Sequence, residues 1–317
     1  MCLRITLPIL MVLSLISSTA QQDLMLYNLP NVAQSIYVNP AHAPHDGIHI
    51  GLPFLSSTSL QHSNSTFNPA KLFENVEGRV EFRTEAFLDN IREKNNLGLE
   101  MSSDLFSIGL PIKGHYFSFA IRDRLSAGLV LPGDMLRFPF IGNGDFDATD
   151  GILDFSNLAI DLNHFTEYGF GWSMTLKDRF YIGARTKILF GKENISTADN
   201  TIQWITDPVD YTWTVEGDVM VQSSGVDNLL DSIDGNALLE NGRIGKYMFG
   251  SSNTGLGVDL GFGMQMNERL DWGISVVDLG YIRWKEDNRN FTGVGAEFGF
   301  AGIEITEAFV QEGGSFS

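Results

Sequence analysis

The sequence predicts an all-β protein: an antiparallel transmembrane β-barrel with short periplasmic turns, long outer loops and a small helical insertion. Three observations lead there. The first is sustained alternation, with Tyr168, Phe170, Trp172, Met174 and Leu176 on one side of a ribbon and Gly169, Gly171, Ser173, Thr175 and Lys177 on the other. The second is arm length. Arms such as Tyr168–Leu176 and Phe180–Phe190 suffice to cross a bilayer as tilted strands, which takes about 9–11 residues, whereas soluble strands are nearer about 5–6. The third is chemistry: one side of each arm is large and apolar, the other small, hydroxylated or cationic, as lipid outside and a polar lumen inside require. The 33 Gly, 10 Pro and 11% aromatic residues suit long paired strands with a narrow inner face.

The chain opens with Arg4, the apolar run Ile5–Ile16 and then Ser18-Thr19-Ala20, the pattern of a secretory signal over residues 1–20 cleaved before Gln21. Residues 21–317 are then the barrel domain. The single cysteine, Cys2, precedes the apolar run, so cleavage leaves no disulfide, thiol chemistry or Cys-ligated metal. Gln21–Pro53 reads as an irregular segment followed by a first strand. In Thr84–Lys94, Phe87, Leu88 and Ile91 fall at helical spacing behind Thr84 as N-cap, a short helix for the barrel mouth or for a loop.

Alternation returns at Leu97–Ile112, turns at Lys113-Gly114 and continues over His115–Arg122. Three segments then share one pattern, acidic, Arg, large apolar, two residues, Gly: Asp123–Gly128, Asp178–Gly183 and Glu268–Gly273. Turn chemistry explains it, the carboxylate taking backbone N–H groups at a bend and the Arg reaching the interface, so all three are expected as hairpin turns. Pro132–Phe165, Asn194–Asn200 and Ser223–Asn253 are expected as long outer loops. Asp207-Pro208 makes a further turn before the alternation of Val209–Val221. Gly255–Met266 is a second strong spanning strand. Its partner Asp271–Gly280 loses phase at Val276-Val277, which predicts a bulge. With Phe291–Ile305 as a last strand the count is roughly ten to twelve, and Gly313–Ser317 does not finish a spanning strand, so the barrel is expected to be incomplete at its C-terminal end.

Val38–Ala41, Gly51–Ser57, Ile182–Gly191, Asn253–Gly261 and Val276–Trp284 together resemble an uncharacterised Bacteroidetes-type outer-membrane family, a domain of unknown function. Its members are distantly similar to long-chain fatty-acid transporter barrels and to barrel components of the type IX secretion system. The resemblance implies a barrel in the outer membrane of a Gram-negative bacterium and implies no activity.

A balance of 21 basic against 39 acidic residues, net −18, disfavours binding to nucleic acid through a basic patch. Asp145, Asp147 and Asp150 gather around Gly151 as calcium loops do, yet without EF-hand spacing, so they are calcium candidates set against a solvated acidic turn. His42, His45, Asp46 and His49 offer zinc donors on a segment that Pro44 and Gly47 keep irregular. His62, His115 and His164 look isolated. No nucleophile elbow, phosphate loop or H-E-x-x-H is present. Arg185 and Lys187 share the presumed lumen side with Asp259 of another strand, either setting ion preference or pairing across the interior. These features predict a non-enzymatic outer-membrane barrel without cofactor, its partners the membrane lipid and other envelope proteins. Passage of small or hydrophobic solutes is the first expectation, a scaffold in an envelope or secretion assembly the second. A secreted soluble β-sandwich binding module is the rival.

Overall fold

The computed structural model describes residues 26–27, 29, 32–44, 47–53, 55–76, 78–142, 151–177, 179–209, 212–226, 253–267 and 270–300. The signal at 1–20, the acidic loop with Asp145, Asp147 and Asp150, and the C-terminal end of the chain lie outside them.

Twelve strands form one antiparallel sheet and two more a separate hairpin. In chain order these are β1 (His49–Gly51), β2 (Thr58–Asn64), β3 (Phe73–Val76), β4 (Arg79–Phe82), β5 (Lys94–Ile112), β6 (His115–Pro132) and β7 (Ile152–Asp154), followed by β8 (Ala159–Leu176), β9 (Phe180–Asn200), β10 (Gln203–Thr206), β11 (Trp213–Ser224), β12 (Asn253–Asn267), β13 (Leu270–Arg283) and β14 (Arg289–Phe300). β3 and β4 make the small hairpin. The large sheet runs from β1 and β2, end to end along one edge of β5, through β6 and β8 to β9. There it divides: β12 follows β9 from Phe180 to Gly191 and leads on to β13, while β11 takes the stretch Asn194–Asn200. Among the described residues β13 pairs with β12 alone, so these strands make an all-β antiparallel sheet rather than a closed ring.

Hairpin turns join the long strands at one end. Lys113 and Gly114 both have positive φ, 51° and 81°, the conformation a two-residue turn needs to match strand twist. β8 passes to β9 between Leu176 and Phe180, at the second acidic-Arg segment.

Asp123–Gly128, expected as a turn, lies in the middle of β6 instead, paired on both sides. Asp123 and Arg124 are strand residues because their carboxylate and guanidinium find partners across the sheet, which removes the need for a bend. Asn194–Asn200, expected as a loop, continues β9, with a register shift at Lys192 that lets the extension pair with β11. Of the other expected loops, Pro132–Phe165 already contains the helix Gly133–Ile141, β7 and the start of β8. The helix near residue 84 spans Thr84–Asn90 with Arg83, not Thr84, at the N-cap position. It packs Phe87 and Ile91 on Leu72, with Phe82 and Phe140 beside them, next to the strand ends at Lys94 and Pro132. The bulge expected near Val276-Val277 is present: Val258 faces Leu279 but Leu260 faces Val276, leaving Val277 and Asp278 opposite Asp259.

Directly opposed residues of an antiparallel pair share a face. One face of the sheet thus carries Phe117, Phe119, Phe170, Ile188, Leu256, Leu260 and Ile274, all exposed or nearly so; Phe170 is 50% and Ile274 60% accessible. The other carries Ser118, Gly171, Arg185 and Asp259 in one row and Tyr116, Ser173, Gly183 and Gly261 in the next. That second face is covered by the N-terminal segment.

Candidate functional site: a plugged and ion-paired inner face

Residues 33–41, a 3-10 turn over Ala33–Tyr37 and the tripeptide Asn39-Pro40-Ala41 after it, lie across the covered face. Asn39 and Ala41 are buried. Asn39 caps its own segment, its Oδ1 accepting the Ala41 N–H at 2.9 Å. Ser275 of β13 donates to the Val38 carbonyl at 2.7 Å, and Gln34 donates to the Ser56 carbonyl at 2.8 Å. The segment therefore ties both ends of the sheet, β13 and the approach to β2. Glycine makes room for it. A Cβ on Gly183 would run into the Pro40 carbonyl, one on Gly261 into the Asn39 side chain, and one on Gly273 would come within 2.6 Å of the Tyr27 hydroxyl.

Tyr37 joins this plug to a charged layer beneath it. Its hydroxyl donates to Asp104 at 2.8 Å, and its ring lies 3.7 Å below the Arg122 guanidinium and 4.9 Å from that of Arg185. Burial pushes the phenol well above its ordinary range, the Asp104 charge adding to the effect and Arg122 opposing it. Below the tyrosine the cations and carboxylates interlock. Arg185 donates to Glu167 at 2.9 Å and to Asp259 at 3.0 Å. Lys187 reaches Asp259 and Asp278, each at 2.6 Å, and Glu167 at 3.7 Å. Arg124 donates to Asp278 at 2.8 Å and to Glu167 at 3.4 Å, while Arg122 pairs with Asp104 at 3.1 Å. Four cations face four carboxylates, so the layer is neutral and mostly dry. Gly169 lets Arg185 lie flat on the sheet, since a Cβ there would strike its guanidinium, and a Cβ on Gly171 would strike the Ser118 hydroxyl and crowd the Arg185 stem.

Arg185, Lys187 and Asp259, expected on one inner face, are on one face and paired with each other. The sequence did not reveal Glu167, Asp278, Arg124 or Tyr37. A signal existed for Glu167, which holds the parity of Gly169 and Gly171, and for Asp278, which sits in the phase break of β13.

Above this layer, between the plug and the wall, is a cavity of about 490 Å³. Glu100, Arg122, Arg124, Lys187 and Asp278 contribute its charged side; Leu26, Leu29, Val38 and Phe165 contribute apolar wall. Of the expected zinc donors, His45 and Asp46 lie outside the described residues, and His42 and His49 have separate partners. His42 packs edge-on to Tyr27 at 4.9 Å and near Asn39, whereas His49 faces Ser107 at 3.4 Å. His115 accepts from the Trp172 indole at 3.3 Å. His164 is not isolated: its ring nitrogens face Asp123 at 2.9 Å and Glu193 at 2.5 Å, and Lys192 and Thr166 also donate to Asp123. This polar row shares the face of Phe119 and Phe170 and stands where their apolar run ends. No cluster of His, Cys, Asp and Glu able to hold a metal occurs among the described residues.

The chain matches no curated protein and no solved structure. One family model matches, over residues 40–316, and its description is a family of unknown function, DUF5723.

Proposed function

We propose, for a chain that belongs to this family of unknown function, that it is an outer-membrane β-barrel protein whose interior handles a small solute behind an N-terminal plug. One observation carries the reading. The large apolar side chains of β5, β6, β8, β9, β12 and β13 are turned away from the rest of the protein, while charge and glycine are buried on the opposite face. Burying apolar area is the main driving force of folding in water, roughly 25 cal/mol per Å². A soluble sandwich puts its aromatic stripes in a dry core; here the polar stripe is inside and the aromatic one out, the arrangement hydrocarbon stabilises.

The dimensions support it. About ten residues per strand at about 3.3 Å each, tilted by about 40°, cover about 25 Å, the height of an outer-membrane apolar band. The band begins near the short turns and stops at the row of Asp123, His164 and Glu193. No helix of the described residues is long and apolar enough to cross a membrane.

Solute handling is favoured over a bare scaffold by the cavity between the plug and the wall. The scaffold reading has its own support: the charged layer is neutral, filled and crossed by the plug, which suits a wall more than a channel. Carbonate extraction of membranes, then planar-bilayer conductance of wild type and of the Asn39→Ala variant, separates the readings. Membrane retention with conductance in the variant only is the expected result. Release by carbonate would end the membrane reading, and retention with no conductance in either protein would favour the scaffold.

A further inference from the structure

We infer that the cavity binds a small organic anion with an apolar body, and that Asp278 occupies the anion's place until it arrives. The inference rests on the solute-handling reading and names the chemistry of that solute.

Three of the four carboxylates in the charged layer cannot leave it. The side chains of Asp104, Glu167 and Asp259 are 1%, 0% and 0% accessible, whereas that of Asp278 is 46% accessible. Asp278 also sits where an L side chain is costly, at φ 59° in the β13 bulge, and such strain persists only where the surroundings hold it. Its backbone N–H is held by Asp259 Oδ1 at 2.7 Å. Its own Oδ1 accepts from Lys187 Nζ and Arg124 Nη1, at 2.6 and 2.8 Å. One oxygen of this half-exposed carboxylate thus bridges two cations that line the cavity.

Rotation of Asp278 toward water would leave the other seven charges of the layer with an excess of one positive, while Glu100, the further carboxylate on the cavity lining, lies outside the layer and is exposed to water. That excess suits one anionic head group, a carboxylate or a phosphate or sulfate monoester. Leu29, Val38 and Phe165 would meet an apolar body behind it, and 490 Å³ is within the usual range for a small-molecule site, about 300–1,000 Å³. A neutral ligand has nothing to exchange with Asp278, and a cation would be repelled once Asp278 swung out.

Full-length protein in a non-ionic detergent would be titrated calorimetrically with 2-naphthoate and with the neutral 2-naphthalenemethanol, against detergent blanks. The wild type is expected to bind the acid at least about tenfold more tightly than the alcohol, a charge-assisted hydrogen bond's worth of discrimination. Asp278→Asn is expected to tighten naphthoate about tenfold and leave the alcohol unchanged, and Arg124→Gln to weaken naphthoate about tenfold. A purely structural Asp278 would give the opposite sign, because its loss would loosen the site. Equal binding of acid and alcohol, or an Asp278→Asn variant that binds naphthoate no better than wild type, would overturn the inference. If that variant does not fold, salt decides with the wild type: charge-governed binding weakens as salt is raised, and salt-independent binding sinks the idea. Protein that washes off membranes yet still prefers the acid would remove the membrane reading alone.

Discussion

Arg185 is the residue on which the inner face depends most. It is 2% accessible, and its guanidinium is fixed by Glu167 and Asp259 on neighbouring strands. Taking away one member of such a buried set strands the opposite charge, at a cost of about 3–5 kcal/mol. Arg185→Met is therefore expected to lower unfolding stability by about that amount. A change below about 1 kcal/mol in a denaturant titration would mean that the layer is solvated and the pairs weak. His42 makes a pH prediction at the same scale. Burial pulls its pKa below the ordinary histidine value, with Asp271 of β13 opposing weakly. The sign follows: the unfolded chain takes up a proton near pH 6.5 while the folded one does not. The contribution of His42 to stability is thus intact above about pH 6.5 and declines as pH falls toward its folded pKa. Proteolysis within the N-terminal segment should quicken between pH 7.5 and 5.5, and His42→Gln should flatten that difference. Arg185, Lys187 and Asp259 were legible in the sequence because alternation alone assigns a face. Glu167 and Arg124 were not, since only strand register sets Glu167 opposite Arg122 and within diagonal reach of Arg124. Asp123-Arg124 misled because the same dipeptide type does sit at a turn elsewhere in the chain.

Among elements, the N-terminal segment was the least predictable. The segment has no periodicity, and Asn39-Pro40-Ala41 is short; its importance lies in glycines more than a hundred residues away. Gly183 and Gly261 read in sequence as small residues on the inner side, and nothing there says that another part of the same chain fills the space. For β13 the sequence did carry the signal, a loss of phase that register confirms as a bulge at Asp278. A bulge turns a side chain to a new direction, and this one aims a carboxylate at Lys187 and Arg124. The plug gives the element-scale prediction. Gly183→Val adds side-chain atoms where the Pro40 carbonyl already lies, so the segment must lift. A nitroxide placed at residue 34 should become more mobile in that variant, with strand content by circular dichroism unchanged. An unaltered spectrum would show that the segment does not rest on the β9 glycine.

For the whole molecule the decisive quantity is what surrounds the apolar face. Leu260 lies near the middle of β12, on the face of Phe170 and Ile274, and is 52% accessible. Water around that face and lipid around it give different costs for one substitution. In water, an exposed leucine replaced by arginine changes stability by no more than about 0.5 kcal/mol. In a bilayer, arginine on the outer face near the midplane costs about 2–4 kcal/mol, and less toward the interfaces. Leu260→Arg should therefore be strongly destabilising when the protein is unfolded from liposomes, whereas arginine at the band's edge, as in Met266→Arg, should cost little. This depth dependence follows from the dielectric profile of a membrane and has no counterpart in a soluble sheet. Trp172 supplies an independent readout on the same face, since lipid brominated along its acyl chain quenches only indoles that touch hydrocarbon. Quenching of the wild type, lost in a Trp172→Phe variant by an amount matching that single residue, is the expected outcome. A flat cost for arginine at both depths, together with unquenched fluorescence, would place water against the aromatic face and end the barrel reading, however well the strands alternate.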